Sequence, residues 1–253
     1  MKQDYYELSD IQRYPIGFRY PIDHPLESRK WHYSRAGGII TPDFLCRDAS
    51  FQHITWAIVT TPVPVGSRSF VVTVQNTDGA LRDGAIGLNE LAGGYCIPFT
   101  PLGPAGIMNR RIISNTAVAA PGGAMTIVID KPTNVEMTAV TRLDCMCSQY
   151  ANVQLVPADS SYCSTIGVPT IAAVAGQYLW LQTWGPIYTN KDLVVGVGVN
   201  NRDVSSGPDA NLHPIVAGDA FNTTQGQKMG HVLQNGNAVG RPAGTFTFLM
   251  LDP

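Results

Sequence analysis

Five cysteines, Cys46, Cys96, Cys145, Cys147 and Cys163, carry the widest range of chemistry in the chain. A thiolate can attack an electrophile, ligate a metal or pair in a disulfide, and each use leaves its own spacing. An odd count at scattered positions does not make a disulfide framework. Cys145 and Cys147 lie two apart and would share one face of a strand. A closed zinc site needs two further ligands, and no second Cys or His pair stands at ligand spacing. The cysteines therefore read as buried free thiols.

His24, His32, His53, His213 and His231 are isolated, without the H-x-H or H-E-x-x-H spacing that aims two imidazoles at one ion. His32, between Trp31 and Tyr33, is expected to make a hydrogen bond rather than a metal bond. No G-x-S-x-G nucleophile elbow occurs. No P-loop occurs, and Gly196-x-Gly198 lacks the third glycine and the following helix of a dinucleotide site. Asp78, Asp83, Asp159, Asp203 and Asp209 fall in turn-like contexts, where a short carboxylate caps backbone amides. Carboxylates converging in space would still make a glycosidase centre, which spacing alone does not reveal. Asn222-Thr223-Thr224 matches a glycosylation acceptor and is read as a chance match. The expectation is no catalytic residue, no metal and no cofactor.

The elements that would position any such group are strands. Phe70–Gln75 alternates and ends at the turn Asn76-Thr77-Asp78-Gly79. Ala124–Asp130, Val135–Leu143, Asn152–Val156, Leu193–Val199 and Thr245–Leu251 complete the list, with turn signals every 8 to 15 residues. No segment sustains a helical period. The predicted fold is all-β: a sandwich or barrel of short antiparallel strands with long Pro/Gly-rich loops, above all residues 97–111, and an extended N-terminal arm. The arm is placed at residues 1–35 and the β domain at 36–253, with a possible split into two subdomains near 157–168.

Composition limits the partners. Charged residues make up 14% of the chain against a typical value of about 25%, so much of its surface can lie against other protein. A net charge of −2 argues against a nucleic-acid surface, which needs clustered Lys and Arg. No run of about 18 apolar residues predicts a membrane span. The acidic, aromatic stretch MKQDYYELSD is not expected to act as a signal peptide, so synthesis and assembly are expected in a cytoplasm.

Aromatic residues concentrate in two places. Residues 1–35 hold Tyr5, Tyr6, Tyr14, Phe18, Tyr20, Trp31 and Tyr33, interrupted by Pro15, Pro21 and Pro25. This reads as an extended arm docking on a neighbouring subunit. The second place is the segment AGQYLWLQTWGPIYTNKDLVVGVGVN at 175–200, read as a hairpin turning at Gly185-Pro186. Strand alternation puts Leu179 and Leu181 on one face and Tyr178, Trp180 and Gln182 on the other. Trp180, mid-strand, is assigned to the core, and Trp184, beside the turn, to an interface.

That segment also resembles the G-Q/E-Y-x-W-x-Q-T-x-G-P signature of tailed-phage virion structural proteins of the decoration, cement or head auxiliary type. Gly176, Gln177, Tyr178, Trp180, Gln182, Thr183, Gly185 and Pro186 carry the match. Arg29–Gly37 resembles an early G-R-x-Y-x-Y-x-x-A-G stretch, with Ser28 in place of the leading glycine. Leu91–Tyr95 resembles an A-G-G-Y turn. Ile112–Asn115 resembles a Y-x-I-x-S-N element, with Arg111 where an aromatic is usual. The resemblance implies a non-enzymatic protein that binds the major capsid protein on the outer capsid surface, as a homo-oligomer with a trimer favoured. It places the candidate interface at Tyr5, Tyr6, Tyr14, Phe18, Tyr20, Trp31, Tyr33 and Trp184. The alternative is a tail, baseplate or fibre component that binds host-surface carbohydrate.

Overall fold

The computed structural model describes residues 3–20, 28–48, 52–99, 108–156, 164–191, 195, 202–207, 209–215, 227–234 and 244–252. Among them the fold is all-β, and every strand pairing is antiparallel. The chain divides into two compact units, one made of residues 1–49 and 150–253 and the other of residues 50–149. The second is thus an insertion into the first. The strands that flank it, β2 (Cys46–Asp48) and β9 (Val153–Leu155), pair with each other inside the first unit. The boundary expected near 157–168 is therefore not where the units part: 157–163 lie outside the described residues, and Thr165–Pro169 is a strand of the first unit.

The inserted unit is a closed barrel in the order β3-β4-β7-β6-β5-β8. Its strands are β3 (Gln52–Val59), β4 (Ser69–Val74), β5 (Tyr95–Phe99), β6 (Arg110–Asn115), β7 (Gly123–Ile129) and β8 (Arg142–Met146). Alternation fills its interior: Phe70, Val72 and Val74 point inward from β4, and Met125, Ile127 and Ile129 from β7. Closure pairs both edges of the sheet and leaves no open edge. Ile97–Phe99 and Arg110–Arg111, expected in a long loop, are ladder residues of β5 and β6, while 100–107 lie outside the described residues. The strand expected over Val135–Leu143 begins only at Arg142, because the preceding residues turn and make a single bridge, Met137 to Val63.

The first unit is a nine-stranded sheet. It adds β1 (Lys30–Arg35), β10 (Thr165–Pro169), β11 (Tyr178–Thr189), β12 (Asp203–Ser206), β13 (Leu212–Pro214), β14 (Lys228–Gln234) and β15 (Thr245–Met250) to β2 and β9. β11 is the longest strand and pairs with β1, β10 and β15. The predicted turn at Gly185-Pro186 does not exist. β11 continues through it without a break in pairing, with Gly185 opposite Leu249 and Pro186 opposite Phe248. Gly185 has φ +91°, and a Cβ there would lie 3.0 Å from the Ser28 carbonyl oxygen. The side-chain amide of Gln182 donates to the carbonyls of Trp184 and Pro186, at 3.0 Å each, on either side of this positive-φ residue. The Gly-Pro signal marks a positive-φ step inside one strand. The strand expected over Leu193–Val199 lies outside the described residues except for Val195.

The N-terminal residues lie on their own sheet. Ser9 and Tyr178 exchange backbone hydrogen bonds at 3.1 and 2.8 Å, and the Tyr20 amide donates to the Trp31 carbonyl at 2.9 Å. Leu179 and Leu181 pack in one cluster with Ile40, Cys46 and Val153. On the opposite face Trp180 packs with Trp31 and Tyr33 beneath Tyr5, Tyr14 and Tyr20. The N-terminal segment thus covers a sheet face that would otherwise expose two tryptophans.

Candidate interaction surface

Residue types that could do chemistry meet in few places. Four cysteines, Cys46, Cys96, Cys145 and Cys147, are free and buried, while Cys163 lies outside the described residues. Burial pushes the Cys96 thiol up to about 12, and the nearby Asp130 carboxylate adds to it. Burial likewise raises Cys46 and Cys145, so none of these three is a thiolate near neutral pH. Three histidines each face one carboxylate: His32 with Asp252 at 2.7 Å, His53 with Glu90 at 3.2 Å, and His213 with Asp209 at 2.9 Å. His32 also stacks on Tyr150 and meets the Gly17 carbonyl. Among the described residues no three His, Cys, Asp or Glu side chains gather as a metal site.

One grouping has the residue types of a hydrolase triad. Ser205 stands opposite His213 in the β12–β13 ladder, and His213 Nε2 bonds Asp209. Among the described residues the Ser205 hydroxyl is buried and has no hydrogen-bond partner, so it is not paired with His213 as a nucleophile is with its base. Burial alone would raise the Asp209 carboxyl, but hydrogen bonds from Asn211 and His213 hold it below the usual carboxylate range. This cluster braces a turn. A shallow open depression lined by Thr61, Pro62, Val63, Ser69 and Phe70 has no titratable side chain on its wall.

The surface that stands out is apolar. Along β15, Thr-Phe-Thr-Phe-Leu-Met alternates in the unusual sense, with Thr245 and Thr247 buried while Phe246 and Met250 are 52% and 45% exposed. The inward side of β15 is tied to β11 by Thr189, whose Oγ1 lies 3.1 Å from Thr247 Oγ1 and donates to the Thr245 carbonyl. Outward, the ladder sets Trp184 beside Met250, Pro186 beside Phe248 and Tyr188 beside Phe246. Trp184 meets Phe248 edge-on at 5.5 Å, and Tyr188 meets Phe246 edge-on at 5.7 Å. His231 of β14 stacks parallel on Phe248 at 5.5 Å. The Lys30 ammonium sits 5.1 Å from the Trp184 ring centre, and the exposed Lys228–Asp203 pair lies on the neighbouring strands. An antiparallel sheet with one solvated face normally turns polar residues outward. Here the outer face of β14, β15 and β11 is aromatic, with charge at its margin, which is the anatomy of a protein contact.

Of the eight residues assigned to an interface from sequence, Trp184 alone belongs to this face. Trp31 and Tyr33 are fully buried in their own unit and hold the fold. Tyr5, Tyr14 and Tyr20 are half-buried on Trp31 and Trp180, so most of the aromatic area expected to reach a neighbour is covered at home. Tyr6 and Phe18 stay exposed, Tyr6 tilted against Tyr5 and Phe18 stacked on Tyr14. Sequence reasoning passed over Tyr188, Phe246, Phe248 and Met250. Their signal was the T-F-T-F alternation, which marks two faces without saying which one meets water. No family of known proteins, no curated protein and no solved structure matches this chain.

Proposed function

We propose that this protein is a virion structural protein that binds the outer surface of a bacteriophage capsid and stabilises it, without catalysis. The observation that carries the reading is the inverted β15, threonines inward and phenylalanines outward, which leaves an aromatic sheet face for a partner. The resemblance of Gly176–Pro186 to head decoration proteins supports the capsid as that partner and the major capsid protein as the molecule contacted. A shell is held by many contacts acting together, so a subunit bridging capsomers adds stability through multivalency rather than through one strong site. Each aromatic buried contributes on the order of 1.5–3 kcal/mol before ordering costs. A trimer would present three such faces and suits three-fold positions of a shell.

The test is binding of the purified protein to phage heads lacking it, followed by sedimentation, with the double variant Tyr188→Ser, Phe246→Ser beside the native chain. Both positions are exposed, so the variant is expected to fold. It is expected to lose sedimentation with heads. Native protein that never cosediments with heads, or a double variant that binds as well as native, overturns the reading.

A further inference from the structure

We propose that Trp56 is the platform of a carbohydrate-binding site on the outer face of the barrel, taking the apolar face of a neutral pyranose ring. Between the pairs Ile54–Cys145 and Ala57–Leu143 the β3–β8 register shifts, so Thr55 and Trp56 together oppose Asp144. This is a β-bulge, and bulges re-aim side chains beside sites. Trp56 has φ +58°, a conformation that bulky residues rarely hold, and its side chain is 51% exposed in mid-strand. Strain of this kind persists only where the surroundings impose it. Here two carboxylates from different elements do so. Asp78 Oδ1 accepts the Thr55 amide at 3.1 Å, and Asp144 Oδ1 accepts the Trp56 amide at 2.7 Å. Asp78 is itself buried and anchored by the Gln75 amide at 2.7 Å.

The groups around the indole are those a sugar needs. The Phe99 ring lies 5.1 Å away, inclined at 57°, and forms a second wall. Asp144 and Arg142 project from the same face of β8, and Arg142 is flanked across the ladders by Ile58 and Phe99. Among the described residues only Oδ1 of Asp144 accepts a hydrogen bond and only Nη1 of Arg142 donates one, which leaves Asp144 Oδ2, Arg142 Nη2 and the Trp56 Nε1–H without a partner among them. A pyranose offers C–H groups on its ring face and hydroxyls at its rim. The first stack on an aromatic ring, and the second take paired bonds from a carboxylate and a guanidinium. One acidic and one basic group cancel in charge, which favours a neutral sugar over an anionic one. The inference does not rest on the capsid reading, because it concerns the barrel alone.

The test uses the full chain on an array of neutral oligosaccharides ending in glucose, galactose, mannose, N-acetylglucosamine or N-acetylgalactosamine, with calorimetric titration of the best binder. Trp56→Gly is the informative variant, because glycine accepts the positive φ and the bulge keeps its two carboxylate bonds. Its melting temperature is expected to equal or exceed the native value, with an affinity loss of about tenfold or more. Asp144→Asn is expected to weaken binding in the same direction. Native protein that binds no glycan, or Trp56→Gly binding as tightly as native, overturns the proposal. So does a Trp56→Gly protein whose only change is a smaller assembly in solution, since Trp56 would then be a protein contact.

Discussion

Trp180 shows how much one side chain holds in this fold. Its indole is fully buried, its Nε1–H donates to the Gln3 carbonyl at 3.2 Å, and the rings of Tyr14, Tyr20 and Tyr33 surround it at 4.9–5.3 Å. Trp180→Ala removes the ring that the N-terminal segment packs on and leaves a cavity and an orphaned carbonyl. The expected cost is about 3–5 kcal/mol, against a usual total of about 5–15 kcal/mol. Chemical denaturation of native and variant protein measures it, and an unchanged midpoint would show that the N-terminal residues dock without this anchor. The thiols give a second check. Burial raises Cys46, Cys96 and Cys145, so iodoacetamide at pH 8 is expected to leave all three unmodified in the folded protein and to label them after denaturation. Mass spectrometry of the peptides reads this directly, and labelling of Cys96 without denaturant would mean that the barrel opens.

Among the elements, β11 ties the first unit together, because β1, β10 and β15 all pair with it. Its positive-φ step at Gly185 lies where β11 meets both β1 and β15. Alanine there meets both a positive φ and the close approach of Ser28 and Arg29. Gly185→Ala is therefore expected to cost about 1–3 kcal/mol, seen as a lowered melting temperature. Gly176, also at positive φ, has open space where a Cβ would go, so Gly176→Ala meets the dihedral cost alone. A smaller loss at 176 than at 185 separates steric approach from dihedral strain, and equal losses would show that approach to Ser28 contributes nothing.

For the whole molecule, the two units make different demands on the chain. The inserted barrel runs continuously from residue 50 to 149, closes its own sheet and fills its own interior. The first unit is split in sequence and depends on β2 meeting β9 after the insertion. Residues 50–149 expressed alone are expected to give a β-rich circular dichroism spectrum and a cooperative thermal melt. A featureless melt would show that the barrel needs the rest of the chain. Removing the barrel and joining its ends with a short linker tests the converse, since β2 and β9 are already adjacent partners.

Local patterning determined much of this protein. Period-two alternation marked β4, apolar runs closed by turn residues marked β7, β9 and β15, the absence of a helical period excluded helices, and the Leu179–Trp180–Leu181 alternation placed the two leucines and the indole on opposite faces. Each depends only on residues near one another in the chain. The tertiary structure decided the rest. Alternation defines two faces of a strand but not which is inside, so only the pairing of β15 with β11 and β14 turned its phenylalanines outward. Gly-Pro is a turn signal in isolation, and only the side chain of Gln182 and the neighbouring β1 and β15 ladders kept it inside a strand. The aromatic excess of the first 35 residues was legible, but its partner, the Trp180 face, lies about 150 positions away in sequence. The bulge at Trp56 had no local mark either, because its two amides are held by Asp78 and Asp144, carboxylates that only closure of the barrel brings to them.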